Sequence, residues 1–239
     1  MESVQSEFYS IYEKSSDWLR LLARSEIRIK LLMILNEENM KLAQLRDYLN
    51  LTSSTILHAM KDMEDEELLE NTDEGYALTN IGKIQALMIS DLIKTITVLT
   101  KNKDFWLTHD ISGIPDHLLK RLGDLSDCEV VKSTTTDLFK PHSNFIEILS
   151  ESKSVKGVSP IYHPDYPKTI KNLLDNNASV QLIFNQEILD TFIESDKNLA
   201  EEISNKKNCG LWLFNKLSEA FTVTDRSLSI GLFNADGNY

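Results

Sequence analysis

The feature that most narrows the fold is a run of three short helical patterns closed by a hairpin signal, all within residues 25–79. Ser25 precedes a periodic stretch in which Ile27, Leu31, Ile34 and Leu35 share one face, and Asn36-Glu-Glu-Asn39 ends it. Lys41 to Leu49 is a second helix with Leu42, Leu45 and Leu49 inward. After the turn Asn50-Leu51-Thr52, a hydroxyl of Thr52 or Ser53 can cap a third helix that runs to about Glu67. Its inward residues are Ile56, Met60 and Met63. Leu68-Leu69-Glu70 and Tyr76–Thr79 are strand-like on either side of Asp73-Glu74-Gly75, where glycine supplies the turn. Helix, short helix, turn, helix, hairpin is the order of a winged helix-turn-helix. In that fold the second helix of the turn enters a major groove.

Two longer helical patterns flank this core. Residues 7–23 carry Phe8, Ile11, Tyr12, Ser15, Leu19 and Leu22 on one stripe. Residues 80–100 carry Ile81, Ile84, Met88, Leu92, Thr95 and Leu99. A long rod with one apolar stripe needs a partner surface, so these two helices are predicted to form a homodimer. From Phe105 the texture changes to strand–helix alternation. Strands are predicted at 129–131, 155–158, 180–184, 211–214, 220–223 and 228–233, and helices at 144–149, 166–174 and 188–203, the last with a break. The expected class is α+β, an N-terminal winged helix-turn-helix followed by an α/β sensor-like domain. The expected boundaries are 1–79 for the winged helix, 80–103 for a linker and dimerisation helix, and 104–239 for the regulatory domain.

Charge constrains the function. The chain carries a net charge of −12, whereas phosphate contacts need Lys and Arg. Residues 1–60 hold 7 basic and 8 acidic side chains; residues 61–74 hold Lys61 against 8 acids. The hairpin is therefore repelled by phosphate, and DNA contact falls to the helices. The predicted DNA-facing residues are Ser53, Ser54, Thr55, His58 and Lys61 of the third helix, with Leu57 and Asp62 also outward. Lys41 and Arg46, together with Arg24, Arg28 and Lys30, are candidates for backbone contacts. Affinity per subunit is expected to be modest. Two-fold pairing would set recognition helices about 34 Å apart, one turn of duplex. The acidic hairpin also keeps open a protein–protein adaptor that uses a winged helix without DNA.

The three-helix segment loosely resembles ArsR-like winged-helix regulators. The position before Leu68, usually Gly in such proteins, is Glu67 here, and cysteines suited to metal sensing are absent from 41–62. Four later blocks are more specific: Asp110–Leu125, Phe139-Lys-Pro-His-Ser-Asn-Phe145, Lys156-Gly-Val-Ser-Pro-Ile-Tyr-His-Pro164 and Phe221–Phe233. Together they resemble the middle domain of the archaeal methanogenesis-regulatory family, over about residues 104–236. That resemblance implies a transcription factor, with no effector named.

Chemistry-bearing motifs are otherwise sparse. There is no Gly-x-Ser-x-Gly elbow, no Gly-x-Gly-x-x-Gly, no P-loop and no His-x-Lys pair. Neither a catalytic residue nor a metal or cofactor is expected. His109-Asp110 and His163-Pro-Asp165 are weak ligand pairs, and Cys128 and Cys209 suit a reducing cytoplasm. The longest apolar run, Ala86–Leu99, contains Asp91 and Lys94, so no membrane span is expected. An effector, small molecule or protein, is expected at loops beyond strand ends. Tyr162 and His163 follow one strand; Asp225 and Arg226 lie between two others. Arg226 either grips an anion or, with Asp225, merely closes a hairpin.

Overall fold

The computed structural model describes residues 2–23, 25–132, 140–217 and 219–233. By contact the chain divides into two compact units, Met1–Val98 with Arg121–Ser126, and Leu99–Lys120 with Asp127–Tyr239.

The first unit opens with α1 (Glu2–Ala23) and α2 (Glu26–Glu37). Ser25 caps α2 by accepting from Arg28 N at 3.3 Å, satisfying one of the free amides of the first turn. α3 (Leu42–Leu49) and α4 (Ser53–Asp65) follow. Between them Asn50 takes a left-handed conformation (φ 53°), and Thr52 caps α4 by accepting from Thr55 N. The hairpin is β1 (Leu69–Thr72) and β2 (Gly75–Leu78), antiparallel with Leu69 opposite Leu78. Leu68 was expected to open the first strand. Its amide instead donates to Met63 O at 2.8 Å, closing the end of α4, and Glu67 adopts φ 57°. Glu67 therefore takes a left-handed conformation that glycine adopts without steric cost.

The hairpin is not free at its turn. Met40 and Tyr76 exchange both backbone hydrogen bonds (3.2 and 2.9 Å), which makes a third short strand from the α2–α3 loop. Gly75 at φ 125° faces this loop, and a β-carbon there would lie 2.6 Å from Met40 O. The core of the unit is Leu31, Leu32, Leu35, Leu45, Ile56, Met60, Met63 and Leu68, with Ala86 and Ile89 of α5 (Asn80–Lys101). α5 starts against the hairpin base. Thr79 N donates to Leu68 O, and a β-carbon on Gly82 would fall 1.9 Å from that oxygen.

The second unit begins with α6 (Lys103–Thr108) and α7 (Asp116–Leu119). It continues with α8 (Lys140–Ser150), β3 (Ser154–Ser159), α9 (Tyr166–Asp175), β4 (Ser179–Phe184), α10 (Gln186–Ser195), α11 (Lys197–Ser204), β5 (Cys209–Leu213), β6 (Ala220–Thr224) and β7 (Leu228–Gly231). The strand order is β5-β4-β3-β6-β7; β3, β4 and β5 run parallel, and β6 and β7 are antiparallel additions. Residues 155, 180, 182 and 184 alternate onto one face and pack with Leu149, Ile170, Leu173, Phe192 and Ile203 of the helices. The long helix expected over 188–203 breaks at Asp196, which is extended and accepts from Leu199 N to cap α11. One expectation fails: residues 129–131, read as a strand, form none. Phe105–Leu107, where the change of texture begins, lies in α6. A short apolar run becomes a strand only beside an edge that accepts its hydrogen bonds, and among the described residues β5 and β7 take no further neighbour.

Among the described residues no helix is long and apolar enough to cross a membrane.

Candidate functional site

Two regions gather the residues that could bind something. The first is the outward side of α4. Helical spacing puts Ile56, Ala59, Met60 and Met63 inward, all buried. The complementary positions Ser54, Leu57, His58 and Lys61 follow the same i, i+3, i+4, i+7 spacing and are all exposed, as is Thr55. Ser53 is half-buried, so it belongs less to this surface than its neighbours. Asp62, expected to face outward, turns to α2 and pairs with Arg28, whose side chain is 17% exposed.

The cap organises the hydroxyls. Thr52 Oγ1 lies 3.0 Å from Ser54 Oγ and 2.8 Å from Thr55 Oγ1. The basic candidates divide. Lys30 pairs with Glu26 at 2.6 Å and Arg46 with Asp47 at 2.8 Å. Lys41 and Lys61 are exposed and make no ion pair among the described residues. Arg24 and Phe139 lie outside the described residues. The acids of the hairpin, Glu70, Asp73 and Glu74, are exposed.

The second region lies beyond the carboxyl ends of β3 and β4. After Ser159 the chain turns on its own hydroxyl, with Ile161 N donating to Ser159 Oγ at 3.2 Å. His163 then lies with its ring centroid 4.5 Å from that of His142 in α8. Tyr166 stands 5.4 Å from His163 and 5.9 Å from Phe145, and its hydroxyl is 3.4 Å from His142 Nδ1. Burial pulls the His142 imidazole below its ordinary range, and the charge of His163 adds to this. Tyr162, half-buried, packs beside this cluster against the helix-covered core.

Asp225 and Arg226 are not part of the cluster. They lie where β6 turns into β7, at the opposite end of β3, since Val155 pairs with Thr224. Five strand steps, about 16 Å, separate the two ends. Asp225 Oδ1 accepts from Lys153 N (2.8 Å) and Ser154 N (3.2 Å), and these amides hold its carboxyl below the usual range. Arg226 reaches Glu151 at 3.1 Å with both side chains exposed. The pair ties the hairpin to the start of β3, which accounts for both residues.

His109 and Asp110 are likewise engaged locally. His109 Nδ1 lies 2.9 Å from Phe105 O, and Asp110 accepts from Ser112 N and Oγ. No group of three or more candidate metal ligands occurs among the described residues. Cys128 and Cys209 are free, and burial pushes the Cys209 thiol up. His142 and Tyr166 were not singled out from sequence as binding residues. They lie 24 positions apart, and only the packing of α8 on α9 brings them together.

Comparison with known proteins bears on both units. The N-terminal domain of the methanogenesis regulatory protein FilR1 matches residues 16–97, and the middle domain of the same protein matches residues 138–239. Methanogenesis regulatory protein FilR1 of Methanothrix harundinacea (strain 6Ac) is 30% identical over 226 residues, which are 92% of this chain and 51% of that protein. The chain thus spans about half the length of that relative. Among solved structures, TrmBL2, an archaeal chromatin protein, aligns at a TM-score of 0.37 with 12% identity, over 84% of this chain and 76% of that one. The dimethyltransferase RosA of Streptomyces davawensis aligns at 0.28 with 10% identity, over 87% and 66%. At such scores neither likeness carries an argument. The two domain matches occur in order and the relative aligns across both, so the chain belongs to the methanogenesis regulatory protein family and holds its N-terminal and middle domains.

Proposed function

We propose that the chain is a DNA-binding transcription regulator whose first unit docks α4 in a major groove and whose second unit senses an effector. The observation that carries this is the split surface of α4. One stripe is locked in the core, and the other, Ser54, Leu57, His58 and Lys61, is presented to solvent by a scaffold pinned through the Met40–Tyr76 bridge. An exposed helix with its amino end free is the form that enters a groove. Lys41 and Lys61 would meet phosphates, and the acidic hairpin would stand off.

The apolar stripe of α5 supports a homodimer. Ile81, Ile84, Met88, Leu92 and Leu99 are all at least 40% exposed, as are Phe8, Ile11, Tyr12 and Leu19 of α1. From Ile81 to Leu99 such a stripe extends about 27 Å, long enough for a helix-to-helix interface. The effector site is the cluster of Tyr162, His163, His142 and Tyr166, beyond the carboxyl end of the central strand β3, where ligands of α/β domains bind.

Fluorescence anisotropy of the full chain with its own upstream duplex, repeated across salt, tests the reading. Affinity should fall with a slope near −0.9 per neutralised phosphate, and Lys61→Ala should lower that slope by about one. The exposed acids of the hairpin favour one second reading, a protein–protein adaptor, and salt-independent or absent DNA binding would favour it.

A further inference from the structure

Arginine or lysine pairs with guanine in bidentate fashion, and asparagine or glutamine with adenine. On α4, from Ser53 to Asp65, there is no arginine, asparagine or glutamine, and the single lysine is Lys61, late in the helix. At the centre of the exposed stripe stands Leu57, 42% exposed, with Ser54 one turn before it and His58 and Lys61 beside and after it. The buried stripe of α4 already seals the core, so Leu57 is not needed there. Thr55 adds a second apolar group. Its hydroxyl is held at Thr52 by the 2.8 Å contact, and its side chain, which carries a methyl, is exposed. The major-groove feature that matches leucine and threonine methyl surface is the C5-methyl of thymine.

We infer that α4 recognises thymine methyl groups, with Leu57 as the specificity-determining residue, so that the base pairs facing it are A·T. This rests on the DNA-binding reading above. Ser54 and the His58 ring, which accept any base edge, add little discrimination, and Lys61 lies two turns from the helix start, where the groove wall is phosphate.

The test begins with selection of duplexes from a randomised pool by the full chain. Thymines in the selected site are then replaced one at a time by uracil, which removes only the methyl. Loss of a single buried methyl contact corresponds to about a four-fold weaker Kd. The expected result is such a loss at one or two positions per half-site, and no loss at those positions with Leu57→Ala. Leu57 is exposed, so that variant should keep the circular dichroism and melting curve of the parent. Guanine or cytosine at the selected positions, or an equal uracil effect in parent and variant, would overturn the inference while salt-dependent binding left the DNA reading standing. Failure to bind any duplex at low salt would remove both.

Discussion

At the scale of single residues, backbone conformation carries the clearest consequences. Glu67 holds φ 57°, where a side chain costs about 1–2 kcal/mol and glycine costs little. Glu67→Gly should therefore raise the stability of the first unit by up to about 1 kcal/mol, read as an upward shift of the urea midpoint. Gly75 is the opposite case. Its φ of 125° and its approach to Met40 both exclude a β-carbon, so Gly75→Ala should lower that midpoint. The sequence showed that Gly75 forms a turn. It did not show that the turn abuts the α2–α3 loop, because that neighbour lies 35 residues earlier. The same limit explains Asp62. Helical spacing placed it outward, and only the proximity of α2 made it the partner of Arg28.

At the scale of elements, α4 and α5 illustrate how pattern and packing divide the work. Asp62 joins α4 to α2 through a pair in which Arg28 is largely shielded from water. Asp62→Asn should destabilise the first unit by about 1–3 kcal/mol, since it leaves a guanidinium with a weaker partner where solvent is scarce. Thermal melts at neutral pH would read this, and a change below 0.3 kcal/mol would place the pair among ordinary surface ion pairs. For α5, the stripe of Ile81, Ile84, Met88, Leu92 and Leu99 was legible from its spacing. The structure adds that this stripe is exposed while Gly82, Ala86, Ile89 and Val98 take the core. Met88→Glu with Leu92→Glu should convert the proposed dimer to a monomer in sedimentation equilibrium without lowering the helix content. A parent that is monomeric at tens of micromolar would end the dimer proposal.

At the scale of the whole molecule, the imidazole pair links the second unit to pH. The folded state holds His142 neutral by burial, with His163 reinforcing it, so its folded pKa lies below the unfolded value near 6.5. A depressed pKa contributes stability that is complete above pH 6.5. That contribution is lost as pH falls through the folded pKa, because the unfolded chain then binds the extra proton. Unfolding of the second unit should become easier as pH falls below about 6.5, and His142→Phe should flatten this dependence. A parent whose melting point is constant as pH falls would show that the pair does not couple to folding. What the sequence alone determined is whatever repeats locally: the helix and strand periods, a hydroxyl cap from Thr52 or Ser53, and the Gly75 turn, since these depend on residues within one or two turns of each other. Tertiary structure alone decided that residues 129–131 pair with no strand among the described residues, that Asp225 and Arg226 sit at the opposite end of β3 from His163, and that the His142 ring packs against that of His163. Each of those outcomes depends on which distant surfaces meet, and a local period holds no information about its future neighbour.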